Sequence, residues 1–107
     1  MLNLEKSNDL RNYASDFSPN GVPTGKPSPF YVQGGKGARI QDIDGNTYLE
    51  YWCGAGPVIL GHAHSAVNTA VIKAIEAGNV QFSIPSSLEV ELMAKLVKHI
   101  PCAEKGI

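Results

Sequence analysis

Long hydrophobic runs are missing from this sequence. No apolar stretch approaches the roughly 18 residues of a membrane-spanning helix, so no helical span is expected. Cationic clusters are missing too. Nine Lys and Arg stand against ten Asp and Glu, for a net charge of -1 and no basic run. The electrostatic footprint of a nucleic-acid binder is therefore absent. Cysteine is scarce: Cys53 and Cys102 are the only two, without the spacing of a disulfide framework. They read as thiols of a cytosolic protein. Residues 1–9 lack the apolar core of a signal peptide, which carries the same cytoplasmic expectation. Also missing are Ser-x-x-Lys, Gly-x-Ser-x-Gly, a Gly-Lys-Ser/Thr phosphate loop and any paired-cysteine motif. Seven lysines are present, none in the apolar setting of a Schiff-base amine. Local chemistry names no catalytic residue in this chain.

What is present belongs to a globular chain, with 43% apolar and 18% charged residues. A length of 107 residues implies one domain or part of one. Leu10, Tyr13, Ala14 and Phe17 share one helical face, and Ser18-Pro19-Asn20-Gly21 stops that helix. Residues 19–29 hold four prolines and two glycines and read as an irregular, extended arm. Three short strands are expected next: 30–33, 38–43 and 47–52. Gly34-Gly35-Lys36-Gly37 turns the chain between the first two, and Asp44-Gly45-Asn46 between the second and third. Two helices follow. Ala66/Val67, Ala70/Val71 and Ala74/Ile75 repeat every four residues ahead of Gly78. Ser86 with Glu89 makes a capping box for a helix whose Leu88, Leu92, Met93, Leu96, Val97 and Ile100 share a face, with Pro101 at its end. The expected class is α+β: an N-terminal helix (1–18), an arm (19–29), then a small three-stranded antiparallel sheet and two further helices (30–107).

The stretch Gly54-Ala55-Gly56-Pro57-Val58-Ile59-Leu60-Gly61-His62-Ala63-His64 poses the functional question. His62 and His64 form His-x-His, but a zinc site needs three or four ligands and the only other histidine, His99, lies far along the chain. The plainer expectation is that His64 or Ser65 caps the next helix and that His62 packs or hydrogen-bonds locally. Gly54-x-Gly56 suggests a phosphate loop, yet the dinucleotide fingerprint needs glycine where Ile59 stands. Asp42-Ile43-Asp44-Gly45-Asn46 places its glycine fourth, not sixth, so a calcium loop fails and a hairpin turn fits. The glycine-rich stretch is a bend that brings backbone close to something.

The order of these pieces resembles the N-terminal part of class III aminotransferases, pyridoxal-phosphate enzymes of fold type I, and among them the glutamate-1-semialdehyde aminomutases. The shared pattern is Gly35-x-Gly37, Asp42-x-Asp44-Gly45-Asn46, Gly56 to His64, and Leu88-Glu89-Val90-Glu91-Leu92, over roughly residues 18–100. The resemblance implies that the 54–57 corner leads from the small sheet into a helix beside the active-site cleft. Gly54, Ala55 and Gly56 would then line the substrate side. The aminomutases usually carry Ser-Trp where this chain has Gly54-Ala55, and loss of the bulky aromatic implies either a larger pocket here or a change in what stacks there. Thr24 could supply a hydroxyl, and Lys26 a cation, to a substrate carboxylate. Phe82 and Ser83 match a loop that approaches the cofactor, and a plain linker before a capped helix is the other reading of it. The family's phosphate-binding motif, its pyridine-nitrogen Asp and its cofactor Lys have no equivalent in these residues.

The resemblance therefore implies the N-terminal segment of a homodimeric, cytoplasmic enzyme that uses pyridoxal 5′-phosphate on a small amino or keto substrate, with no nucleic acid, metal or membrane involved. The segment supplies pocket walls and dimer contacts and no catalytic group. The alternative is a stand-alone, non-catalytic α+β domain that binds a partner chain.

Overall fold

A computed structural model describes residues 1–22, 26, 28–78 and 84–106. The chain divides into two compact units, Met1–Ser65 and Ala66–Ile107. In the first unit, helix α1 (Glu5–Ala14) precedes strands β1 (Val32–Lys36), β2 (Arg39–Asp42) and β3 (Thr47–Leu49). The strands form an antiparallel sheet in the order β1-β2-β3. The second unit holds α2 (Ser65–Glu76) and α3 (Ser87–His99). Three helices with a three-stranded antiparallel sheet are the α+β class expected from the sequence.

The Asp42–Asn46 turn organises the first unit. Asp42 is fully buried, and its carboxylate is saturated. Oδ1 accepts from the amides of Asp44 (3.0 Å) and Asn46 (2.7 Å). Oδ2 accepts from the Asn46 side-chain amide (2.8 Å) and the Tyr48 hydroxyl (2.7 Å). Burial by itself pushes the Asp42 carboxyl up, but these four hydrogen bonds outweigh it and hold the group below its usual value. The same bond raises the Tyr48 hydroxyl, with burial adding to it. Gly45, at φ +91°, supplies the left-handed residue that the hairpin needs.

Asp44 turns the other way and caps α1. Its carboxylate accepts from the amides of Lys6 (2.7 Å) and Ser7 (3.0 Å), and from the Ser7 hydroxyl. These are orphan donors of the helix's first turn, and the negative charge suits the positive end of its dipole. Leu4, at the N-cap, offers no side-chain acceptor. The second hydrogen of the Asn46 amide reaches the Asn3 carbonyl at 2.6 Å. Arg11 then ties α1 to the approach of β1 by donating to the carbonyls of Ser28 (2.7 Å) and Pro29 (3.0 Å).

Boundaries differ from the sequence reading in three places. Helix α1 covers Glu5–Ala14, shorter than the 1–18 segment expected as helical; its start is capped from Asp44, and Phe17 is already in a turn with its amide on Ala14. Strand β1 runs through Gly34 and Gly35 to Lys36, and the reversal falls at Gly37, φ +58°. A register shift between Val32 and Gly34 marks a bulge in β1. Strand β3 ends at Leu49, and Tyr51 and Trp52 lie outside the sheet, exposed. In the second unit both expected helices form. The Ser86–Glu89 capping box is formed in both directions, at 3.4 and 2.6 Å. Gly78 closes α2 at φ +70°, its amide on the Ile75 carbonyl. Neither α2 nor α3 has a buried residue, and the apolar faces of both are exposed. Among the described residues no helix is long and apolar enough to cross a membrane.

Two predictions follow from the turn. Asp44→Ala removes the α1 cap and should cost about 1–2 kcal/mol, read by denaturant unfolding together with a loss of helical circular dichroism. Asp42 has a folded value below its ordinary 3.8, so its stabilisation is present above that pH and is lost as the pH falls through the folded value. Unfolding measured across that acid window should show a dependence that Asp42→Asn removes.

A left-handed corner as candidate functional site

The chain leaves β3 at Leu49 and, before α2, forms only a short 3-10 turn at Cys53–Ala55. Between them, four successive residues have positive φ: Cys53 (51°), Gly54 (59°), Ala55 (66°) and Gly56 (113°). They make one tight left-handed turn in which the amides of Gly56 and Val58 both reach the Cys53 carbonyl at 2.9 Å. Glycine accepts this conformation freely, whereas Cys53 and Ala55 each carry a cost on the order of 1–2 kcal/mol. A Cβ on Gly54 would stand 2.7 Å from the Val58 side chain. Strain of this kind persists only where the surroundings over-determine it, and it concentrates at functional sites.

The surroundings do over-determine it. His62 pairs with Gly37 as an isolated antiparallel bridge, through amide-to-carbonyl bonds of 2.8 and 2.9 Å. Its imidazole lies over Gly35, where a Cβ would come within 2.9 Å of the ring. A Cβ on Gly61 (φ +87°) would come as close to the Gly37 backbone, at 2.9 Å. His62 Nε2 donates to Glu50 Oε2 at 3.2 Å. Gly37, Ala38, Glu50, Cys53, Val58 and residues 59–62 line a concavity of about 230 Å³. The local partner expected for His62 is thus the carboxylate at the end of β3.

Of the residues singled out in the sequence, Gly54, Ala55 and Gly56 come together as the exposed outer surface of this turn. Lys26 is exposed, and among the described residues no hydrogen bond or ion pair joins it to the turn. Thr24, Phe82 and Ser83 lie outside the described residues. His64 Nδ1 is buried without a hydrogen-bond partner, so it does not cap α2 through that atom. Among the described residues no group of three or more His, Cys, Asp or Glu could hold a metal ion. Sequence reasoning missed the Glu50–His62 pair. The only signal for it was the period-two alternation of β3, which continues to Glu50.

The class III aminotransferase family profile matches residues 22–106. A glutamate-1-semialdehyde 2,1-aminomutase of Methanosphaera stadtmanae is 36% identical over 107 residues, covering 96% of this chain and 25% of that protein. Among solved structures, a transaminase with PLP bound superposes with a TM-score of 0.78 at 33% identity, over 90% of this chain and 23% of that one. An omega-transaminase from Sphaerobacter thermophilus superposes with a TM-score of 0.80 at 32% identity, over 92% of this chain and 23% of that one. The chain thus spans about a quarter of the length of the relatives it matches. With the matched region taking in the sheet, the left-handed corner and both later helices, the chain belongs to the class III aminotransferase family.

Proposed function

We propose that residues 1–107 are the N-terminal part of a pyridoxal 5′-phosphate-dependent aminotransferase or aminomutase. The enzyme moves an amino group between an amino acid or amine and a carbonyl compound. Family membership supports the reaction class, and the observation that carries the role of this segment is the strained, exposed turn at residues 53–56. Its outer surface, Gly54-Ala55-Gly56, forms a wall of the substrate pocket. Thr24 and Lys26 meet a substrate carboxylate, and Phe82 and Ser83 stand beside the cofactor. The protein is a cytoplasmic homodimer, and the exposed apolar faces of α2 and α3 supply surface for burial within the larger assembly.

In this reading the groups that hold the cofactor lie outside residues 1–107. All seven lysines are exposed, whereas a Schiff-base amine is activated by desolvation or by a neighbouring cation. The segment's own work is to shape and orient. A corner with glycine at 54 and 56 and only a methyl at 55 leaves room for a bulky group on the amino donor.

The reading is tested on the protein as its source makes it. It should bind pyridoxal 5′-phosphate, seen as a change in the visible absorbance of the cofactor, and transfer amino groups from an amine or amino acid to a carbonyl acceptor. Failure of both would overturn it. Ala55→Trp fills the wall with an aromatic ring. It should lower kcat/KM for bulky amino donors at least about tenfold relative to small ones, the scale of a steric mismatch in a substrate pocket. Parallel steady-state kinetics on a small and a large donor would show it.

A further inference from the structure

The Glu50–His62 pair has no place in the proposed chemistry, yet it lies at the base of the strained corner. Its His62 ring is 25% exposed and its Glu50 side chain 14%, so the pair is partly desolvated. A hydrogen bond in such a setting is electrostatically stronger than a fully exposed one. Both partners are anchored in the sheet. Glu50 follows β3 and holds its amide on the Ala38 carbonyl at 2.9 Å, while His62 bridges Gly37. Residues 51–61 are thus a loop whose two ends are joined at Glu50 and His62. Closing such a loop reduces the conformations that the chain between can adopt. Cys53, the first left-handed residue, lines the same concavity as the pair.

We propose that Glu50 and His62 are positioning residues: their hydrogen bond clasps the base of the loop and holds residues 53–56 in the left-handed turn, setting the shape of the pocket wall. The wall rests on the reading of the corner given above; the clasp does not. Without it, Cys53 and Ala55 relax toward negative φ, and the outline presented to a substrate changes. The effect reaches substrate through the turn alone, because neither side chain is part of the exposed 54–56 surface.

Two thiols make the test direct. Cys53 is half-buried in the concavity and Cys102 is exposed, so Cys102 serves as an internal reference. Alkylation rates of both would be followed by peptide mass spectrometry in the protein as its source makes it, with thermal unfolding recorded for each variant. His62→Leu and Glu50→Leu should raise the Cys53 rate about tenfold and leave Cys102 unchanged, as loss of a partly buried charged hydrogen bond frees the loop. Glu50→Gln keeps an acceptor and should restore most of the protection. Unchanged Cys53 rates in both Leu variants overturn the clasp. So does an equal rise at Cys53 and Cys102, or a rise in Glu50→Gln as large as in Glu50→Leu, since either reports general unfolding or charge loss. The kinetic arm separates the clasp from the wall. If Cys53 is freed while the preference between small and bulky amino donors stays the same, the clasp stands and the corner is not the substrate wall. If both change, with KM moving more than kcat, the pair sets specificity.

Discussion

A single five-residue turn, Asp42-Ile43-Asp44-Gly45-Asn46, carries the first unit, and it does so with carboxylates facing opposite ways. Asp42 points inward and takes four donors, whereas Asp44 points at the helix and takes three. An ionised carboxylate is acceptor-only with room for about four partners, which is what a crossing point of turn amides, a helix start and a strand tyrosine demands. Neither an amide nor a hydroxyl could satisfy that many donors. In a unit where Val22 is the only apolar residue classed as buried among the described residues, polar saturation takes on work that a hydrocarbon core does elsewhere. The stacked rings of Phe30 and Tyr48, 4.4 Å apart, extend the same hub across the sheet.

The sheet separates two demands. Its inner face holds Gly35, Ile40, Asp42 and Tyr48, and its outer face Lys36, Arg39, Gln41 and Thr47, so alternation gives one packed side and one solvated side. Glycine at 35 and 61 removes side chains where a Cβ would stand within 3 Å of the returning backbone or the His62 ring. That close approach anchors an otherwise irregular loop, so the conformational cost at Cys53 and Ala55 is carried by a rigid support. Loops that perform chemistry or recognition are built this way, as a strained outline on an unstrained frame.

Much of this was legible in the sequence because the signals are local. The Ser86–Glu89 box lies three residues apart, the Asp-Gly-Asn hairpin is a contiguous word, and the four-residue repeat of α2 is visible on inspection. What escaped was non-local. The start of α1 depends on an acceptor 37 to 38 residues away, so the apolar face at 10–17 placed a helix within residues 1–18 but could not mark its first turn. The glycines of β1 suggested a turn, whereas they serve a strand lying under His62. The Gly-rich stretch announced a bend, but not that Cys53 and Ala55 would join its left-handed run, since nothing in those residue types asks for positive φ. The family resemblance came from the order of the same local words, which is why it survived the misplaced boundaries.

The remote cap also fixes an order of events in time. Helix α1 has ten residues, below the length at which an isolated helix holds together in water, and its own N-cap provides no side-chain acceptor. The β2–β3 hairpin, by contrast, closes over four residues and needs nothing from α1 to turn. In the order of synthesis the α1 residues precede Asp44 by 37 to 38 positions, so the side-chain cap is unavailable to the helix until Asp44 has been made. The cap of α1 is thus made later than the helix's own residues, and it is supplied by a hairpin that turns without them.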